Sequence, residues 1–325
     1  MMQRHPIESV AALLVLAALS GCGESDLPAH HDEVLACAEL ESLGGRCDGE
    51  PLQGAAQSPF ADRPAGQLAP GEEPVEGIDL DDYALVFADE FTGDELDTSR
   101  WKSALEWGPD LVINGEQQYY IDALGDPGFG ATPFSLDGDA LTIRATRTPE
   151  SLRARANEQP WLSGVLSSAD RFDMRYGYIE TRVDLPEGVG TWPAFWLLAS
   201  ELDEQRPRVF IAEHDGGRPA SVFHDYRYED DTGAVRSAGQ YRVEVPDLSE
   251  GFHTLAVSWT PDELVYYVDG IARYRVIGEE LPARSMYMVL NLAIGGSFVG
   301  MPDESVTSEP ALRIDYVRVW QREGS

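Results

Sequence analysis

Two tryptophans in the segment 190–198 (GTWPAFWLL) have a spacing that could bind a sugar chain. Trp192 and Trp196 are four residues apart, so an extended strand places both indole rings on the same face. Large, rigid aromatic rings on one face can stack against sugar rings. Two tryptophans buried in a core would show the same pattern, and the segment by itself leaves both interpretations open.

Short alternating apolar and polar runs, separated by glycine, proline and aspartate, must position these rings. Such runs recur from Tyr83 onward, and convincing helices are scarce. Residues 255–259, the turn residues Pro261 and Asp262, and residues 264–268 predict a β-hairpin. Many short strands at regular spacing predict an all-β jelly-roll sandwich, a fold that can present a concave sheet face as a groove.

The composition excludes one class of partner. The 325 residues include 24 basic and 57 acidic side chains, which gives a formal net charge of −33. Such a surface repels phosphate backbones, so we expect no nucleic-acid partner. Hydrophobic residues make up 43% of the chain, which is enough for a sizeable core.

The N-terminus predicts export and a lipid anchor. The apolar run at residues 10–19 is too short to span a bilayer but suits a signal peptide over residues 1–21. It ends in Leu19-Ser20-Gly21-Cys22, which resembles the bacterial lipobox, whose cleavage leaves the cysteine lipid-modified. We therefore expect an exported bacterial lipoprotein, periplasmic or at the cell surface, that contacts the membrane only through Cys22. An ordinary signal peptide with a chance cysteine is the alternative.

Residues 22–80 predict a flexible acidic tether. They hold 13 acidic and 2 basic residues, and such segments cannot bury enough surface to fold. Cys37 and Cys47 form an even pair that an oxidising compartment would join as a disulfide; two free thiols are the alternative. The folded domain is then expected over residues 81–322.

Several further segments resemble the family 16 glycoside hydrolases, the laminarinase and lichenase group of endo-β-glucanases. Their order and spacing over residues 87–321 carry the resemblance, which implies a concanavalin-like jelly roll. The matching segments are FADEF at 87–91, LDTSRW at 96–101, NGEQQYY at 114–120, YGYIETR at 176–182, WPAFW at 192–196, FHT at 252–254, VSWTPD at 257–262, LNLAIGG at 290–296 and IDYVRV at 314–319.

The resemblance also implies where catalysis would lie, and there the chain departs from the family. The family carries the pattern E-x-D-x-x-E on the strand after the tryptophan segment, whereas this chain reads RVFIAE at 208–213. Glu213 keeps the acid/base position, Arg208 replaces the nucleophile and Phe210 replaces the central aspartate. Arginine has no available lone pair and stays charged, so it cannot attack a sugar. A guanidinium nearby would also favour the ionised form of Glu213, whereas a general acid must hold a proton.

A second carboxylate close to Glu213 in sequence could complete the pair that a glycosidase requires. Asp215 lies two residues beyond Glu213, so a continuing strand would place both on one face, with Cα atoms roughly 6.5–7 Å apart. The two glycines that follow, Gly216 and Gly217, instead predict that the strand ends and that Asp215 is a turn residue.

The resemblance implies a glycan groove that survives better than the catalytic strand. Arg208 could recruit an anionic sugar substituent there or form an internal salt bridge with Glu213, and the overall acidity favours the salt bridge. For His224 a purely structural role is the alternative. The residues expected to line the groove are Asn114, Gln118, Trp192, Trp196, His224, Asn291 and Phe298.

No cofactor is expected for catalysis, but the resemblance implies a structural calcium site away from the groove. Its candidate ligands are Glu90, the Gly138 carbonyl and Asp315, because hard oxygen ligands suit Ca²⁺. Exposed acids with no bound metal explain the same residues equally well.

Three hypotheses follow. The first is a lipid-anchored β-glucan-binding protein on a hydrolase fold with impaired catalysis. The second is an active endo-β-1,3(4)-glucanase that uses Glu213 with another carboxylate such as Asp215. The third is a surface scaffold that binds protein partners, since a fold does not dictate a function.

Overall fold

The computed structural model describes residues 80–201, 207–230, 232–238, 241–278, 281–306 and 309–322. The predictions for the signal peptide, the lipidated Cys22, the tether and the Cys37–Cys47 pair therefore lie outside the described residues. Among the residues that are described, no helix is long and apolar enough to cross a bilayer.

The described chain is built almost entirely from strands. Two short 3₁₀ turns, Glu150–Leu152 and Ala154–Ala156, interrupt them. The strands are β1 (Tyr83–Asp89), β2 (Gln118–Tyr120), β3 (Phe134–Leu136), β4 (Leu141–Arg144), β5 (Thr146–Arg147), β6 (Trp161–Ser163), β7 (Val165–Ser167), β8 (Gly177–Asp184), β9 (Thr191–Ala199), β10 (Arg208–Glu213), β11 (Ser221–Glu229), β12 (Val235–Ser237), β13 (Tyr241–Glu244), β14 (His253–Trp259), β15 (Glu263–Val268), β16 (Ile271–Ile277), β17 (Met286–Ile294) and β18 (Ala311–Arg322).

Two antiparallel sheets form a sandwich, which confirms the predicted jelly-roll class. The back sheet runs β16-β15-β14-β8-β18-β4-β3, with β1 paired to β18. The cleft sheet runs β12-β11-β10-β9-β17-β7, with β13 paired to β11. A small third sheet, β2-β6-β5, contains a parallel pair, β2 with β6.

The predicted hairpin is confirmed in the back sheet. β14 and β15 pair antiparallel with Leu255 opposite Val268 and Trp259 opposite Leu264. The hydroxyl of Thr260 accepts hydrogen bonds from the backbone amides of Asp262 and Glu263, at 3.3 and 3.1 Å, and so closes the turn.

The core lies between the sheets because alternate strand residues point inward. On β9, Phe195 and Leu197 join the main core cluster. The other face of β9 is also covered: Trp196 and Leu198 belong to a second cluster, against which the chain around Leu105 packs. Every residue of β9 is therefore buried, which explains why its sequence reads as a continuous apolar run.

Candidate functional site

An open cleft lies on the face of the cleft sheet that points away from the core. The sheet provides its floor, and the chain from Leu105 to Tyr120 provides a wall. The lining residues are Leu105, Trp107, Pro109, Leu111, Val112, Ile113, Asn114, Glu116, Gln118, Tyr120, Trp192, Ala194, Trp196, Arg208, Phe210, Glu213, Arg227, Asn291 and Ala293.

A bulge in β10 places three of its residues on the cleft face. Phe210 is opposite Trp196 on β9, but Glu213 is opposite Ala194, so β10 carries one extra residue between them. Residues three apart on a regular strand point to opposite faces, but the extra residue turns Phe210 and Glu213 to the same face of the sheet. Arg208, Phe210 and Glu213 consequently all line the cleft. Arg208 is exposed, whereas Phe210 and Glu213 are only 9% and 3% exposed.

Arg227 on β11 approaches Glu213 and was missed from the sequence. Its guanidinium lies 3.7 Å from the Glu213 carboxylate and donates a 2.6 Å hydrogen bond to Asp225, which is fully buried. The same guanidinium lies 4.7 Å from the centre of the Phe210 ring. Alternation along β11 is the signal that could have found this pair, since residues 225 and 227 share a face.

A chain of hydrogen bonds fixes the middle of the floor. The Trp196 indole N–H donates to the Asn291 side-chain oxygen at 2.9 Å, and the Asn291 amide donates to the Tyr120 hydroxyl at 3.0 Å. Burial raises the pKa of Tyr120 well above its usual value, so the hydroxyl stays protonated. Trp196 also stacks on Phe210, with ring centres 5.7 Å apart. This floor is therefore a rigid, largely aromatic surface.

The wall loop carries a second acid that the sequence analysis did not single out. Asn114 and Gln118 donate side-chain hydrogen bonds to the two oxygens of Glu116, at 3.0 and 2.5 Å. Gln118 is itself held by a 2.7 Å hydrogen bond from the backbone amide of Ile294 to its side-chain oxygen. Burial raises the pKa of Glu116, although both amide hydrogen bonds oppose this effect. The signal was its position between two residues already assigned to the groove.

Five of the seven residues predicted to line the groove do so: Asn114, Gln118, Trp192, Trp196 and Asn291. Phe298 is not among the lining residues but supports one of them, since its ring lies 5.0 Å from that of Trp192. The tryptophans thus satisfy both earlier interpretations, because they are buried and also form part of the cleft.

His224 lies on the opposite face of β11, which corrects its predicted place in the groove. It is fully buried, its Nδ1 is 2.6 Å from the carbonyl oxygen of Ile211, and its ring packs 5.0 Å from that of Tyr266. Burial lowers the pKa of His224 to about 4, so the imidazole is neutral at pH 7. The alternation that brings Arg227 to the cleft necessarily turns His224 into the core.

Asp215 does not line the cleft. β10 ends at Glu213, and the Asp215 carboxylate accepts a 2.9 Å hydrogen bond from the backbone amide of Gly217, as expected for a turn residue. The chain can turn away from the strand here because the next residue is a glycine: a Cβ on Gly216 would lie 1.9 Å from the Thr191 hydroxyl oxygen.

The candidate calcium ligands do not fit a cation as they are arranged. Both carboxylate oxygens of Glu90 accept hydrogen bonds from Arg318, at 2.9 and 2.7 Å. Asp315 is paired with Arg182. Gly138 lies in a turn with a positive φ of 90°. A calcium ion would have to displace two guanidinium groups, and no metal-like cluster of three His, Cys, Asp or Glu occurs among the described residues.

Comparison with known proteins decides the family. Residues 132–318 match the family described as glycosyl hydrolases family 16. The chain belongs to this family. An endo-1,3-1,4-beta-glycanase, ExsH of Rhizobium meliloti (strain 1021), is 34% identical over 250 residues that cover 75% of this chain and 53% of the relative. This chain therefore spans about half the length of that relative.

Two further comparisons bear on the family 16 domain. The crystal structure of the laminarinase catalytic domain from Thermotoga maritima MSB8 matches with a TM-score of 0.62 at 26% identity, covering 74% of this chain and 99% of that one. A beta-1,3-glucan-binding protein of Penaeus monodon is 22% identical and covers 51% of this chain and 64% of its own length.

Proposed function

We propose that this family 16 protein binds β-glucan chains in its cleft without hydrolysing them. One observation carries the proposal: β10 turns Arg208, Phe210 and Glu213 toward the cleft, and only the last is a carboxylate. The family resemblance assigns these three positions to the nucleophile, the central aspartate and the acid/base.

The retaining reaction cannot run on this strand. It requires two carboxyl groups about 5–5.5 Å apart, one to attack the sugar and one to protonate the leaving group. A guanidinium at position 208 supplies no nucleophile.

The binding half of the cleft supports a polymer ligand. Its wall and floor are largely apolar and aromatic, with a few amide groups from Asn114, Gln118 and Asn291 that can fix sugar hydroxyls. The names of the relatives point to β-linked glucans, and one of them is named for binding rather than for cleavage.

Hydrolysis remains the second candidate function because of Glu116. It lines the same cleft as Glu213, and burial raises its pKa in the direction that a general acid requires. An active enzyme would then use this carboxyl, since Asp215 lies outside the cleft lining.

The proposal includes an exported, lipid-anchored protein with residues 22–80 as a spacer. Support comes from the apolar run at residues 10–19 and from Cys22 at the end of the lipobox-like sequence. Metabolic labelling with a fatty acid tests it. Label that is lost in Cys22→Ser supports the anchor, and absence of label in the native chain contradicts it.

The experiment measures release of reducing ends and polymer binding on the same samples. A panel of β-glucans, agars and carrageenans is incubated with the native chain, Glu213→Gln and Glu116→Gln. We expect no release from the native chain and clear retardation by β-glucan on affinity gels. Release that disappears in either variant would establish an active enzyme and contradict the proposal.

Matched variants locate the binding surface. Leu111 and Ile113 line the cleft and are 55% and 40% exposed, so Leu111→Ser with Ile113→Ser should weaken retardation and leave the core intact. Leu85 is 54% exposed on β1 of the back sheet, and Leu85→Ser should bind normally. Failure to bind any glycan, together with a defined protein partner, would favour the scaffold hypothesis instead.

A further inference from the structure

Apolar side chains are exposed on the wall of the cleft. Leu111 and Ile113 are 55% and 40% exposed, and both line the cleft. Among the described residues, the other exposed large hydrophobic side chains are Leu85, Val86 and Met301. Single apolar residues on a surface are ordinary, whereas neighbouring ones beside a groove mark a contact site.

The wall is anchored to the rest of the fold on both sides of these residues. Trp107 packs against the floor cluster, and the Asp110 carboxylate accepts a 3.0 Å hydrogen bond from the Asn157 side chain. Farther along, the carbonyl oxygen of Asn114 accepts a 2.9 Å hydrogen bond from a backbone amide of the loop after β17. The exposed apolar side chains are therefore held beside the groove.

The side chains of this part of the wall offer few partners to a sugar hydroxyl. Between positions 107 and 113, only Trp107 and Asp110 have side chains that can hydrogen-bond. The Trp107 indole nitrogen is buried, and Asp110 is not among the residues that line the cleft. A sugar stacked on the aromatic floor turns the edge of its ring, where its hydroxyls project, toward the wall. A hydroxyl covered by Leu111 and Ile113 would lose hydrogen bonds to water that apolar side chains do not replace.

From this pattern we infer that the cleft selects β-glycans in which a hydroxyl facing Leu111 and Ile113 is capped by a small uncharged group, of the O-acetyl or O-methyl class. The inference rests on the proposed glycan-binding function and narrows its ligand class. A capped hydroxyl has no O–H to leave without a partner. Its methyl group would pack against the two side chains, and removing apolar surface from water is favourable.

The position of the two side chains favours a ligand of the cleft over a larger partner. They line the same groove as the aromatic floor, so a glycan stacked on that floor is already beside them. A bilayer presents a broad surface that does not enter a groove, and a net charge of −33 repels anionic membranes. The substituted sugar chain is therefore the occupant that fits this wall.

The test compares unmodified laminarin with O-acetylated and with O-methylated laminarin of matched length and low degree of substitution, using the full chain and calorimetric titration. For each modified polymer we measure the ratio of its affinity to that of unmodified laminarin. We expect a ratio of about four for at least one of them, the factor that burial of one methyl group provides. Leu111→Asn, which replaces the apolar group by an amide, should reduce this ratio to one or below. Leu111→Met, which stays apolar, should keep it raised.

Leu85→Asn is the matched control, since Leu85 is 54% exposed on β1 of the back sheet and should leave the ratio unchanged. Thermal melts of each variant verify the fold. A ratio of one or below for both modified polymers, with unmodified laminarin still bound, overturns this inference alone. So does a raised ratio that Leu111→Asn does not reduce. If no polymer binds, the proposed function fails as well.

Sedimentation of the same samples tests a different occupant of the wall. The inference predicts that Leu111→Asn leaves the oligomeric state of the chain unchanged. Self-association that this variant abolishes, together with a ratio of one, would assign the wall to contact between two copies of the chain and overturn the inference.

Discussion

Removing Arg227 tests whether its contacts with two buried carboxylates hold the cleft floor together. In Arg227→Met, Asp225 would keep its 2.6 Å hydrogen bond from the Ser237 hydroxyl but lose its guanidinium partner, and Glu213 would lose a neighbouring positive charge. Breaking a buried ion pair on one side costs about 3–5 kcal/mol. The 15% exposure of the Arg227 side chain favours the lower end.

We therefore expect Arg227→Met to lower the free energy of unfolding by about 3 kcal/mol. For a domain of this size, that corresponds to a Tm lower by about 6–12 °C. Urea unfolding followed by tryptophan fluorescence measures the change.

Arg236→Met provides the control. Arg236 also donates a 2.6 Å hydrogen bond to a carboxylate, that of Asp230, but its side chain is 37% exposed. Exposed pairs contribute about 1 kcal/mol or less. Equal losses in the two variants would refute the claim that Arg227 stabilises the fold through buried charges.

Three other outcomes are expected. Burial lowers the folded-state pKa of His224 to about 4, below its ordinary value of 6.5. The neutral imidazole therefore contributes stability that is complete above pH 6.5 and is lost as the pH falls toward 4. An NMR titration of the ring should give the low pKa, and a value near 6.5 would contradict this burial. Calcium should leave the Tm unchanged relative to a chelator, since Glu90 and Asp315 are neutralised by arginines, and a rise of several degrees would show that a site forms. Gly216→Ala should destabilise the fold by roughly 1–3 kcal/mol, because its Cβ would clash with Thr191; an unchanged urea midpoint would show that the turn yields freely.

The fold was predictable because the relevant signals are local. Alternation, turn residues and the spacing of matching segments determine a jelly roll without knowledge of any contact. The hairpin around Pro261 needed only the pattern of its two strands, and the register of β14 with β15 follows it.

The site was predictable only where the facing of a side chain follows from its neighbours in sequence. Trp192 and Trp196 share a face by simple alternation. His224 was misplaced and Arg227 missed because both depend on which face β11 turns to the core, and that is decided by packing against Tyr266. The role of Arg227 also depends on Asp225 and on the bulge in β10, which bring charges from two strands together.

The catalytic positions and the other cleft-lining residues depend on different elements of the fold. The family's retaining reaction depends on two carboxyl groups at a fixed separation, which the resemblance places on one strand, and on that strand this chain carries Arg208 at the nucleophile position. The cleft lining is spread over the wall loop, β9 and β17, where Asn114, Trp196 and Asn291 are held by hydrogen bonds to residues other than Arg208. Phe210 even adds to the floor by stacking on Trp196. Substitutions on β10 therefore change the chemistry of the floor without removing these contacts, which is why we propose that the groove still binds a chain.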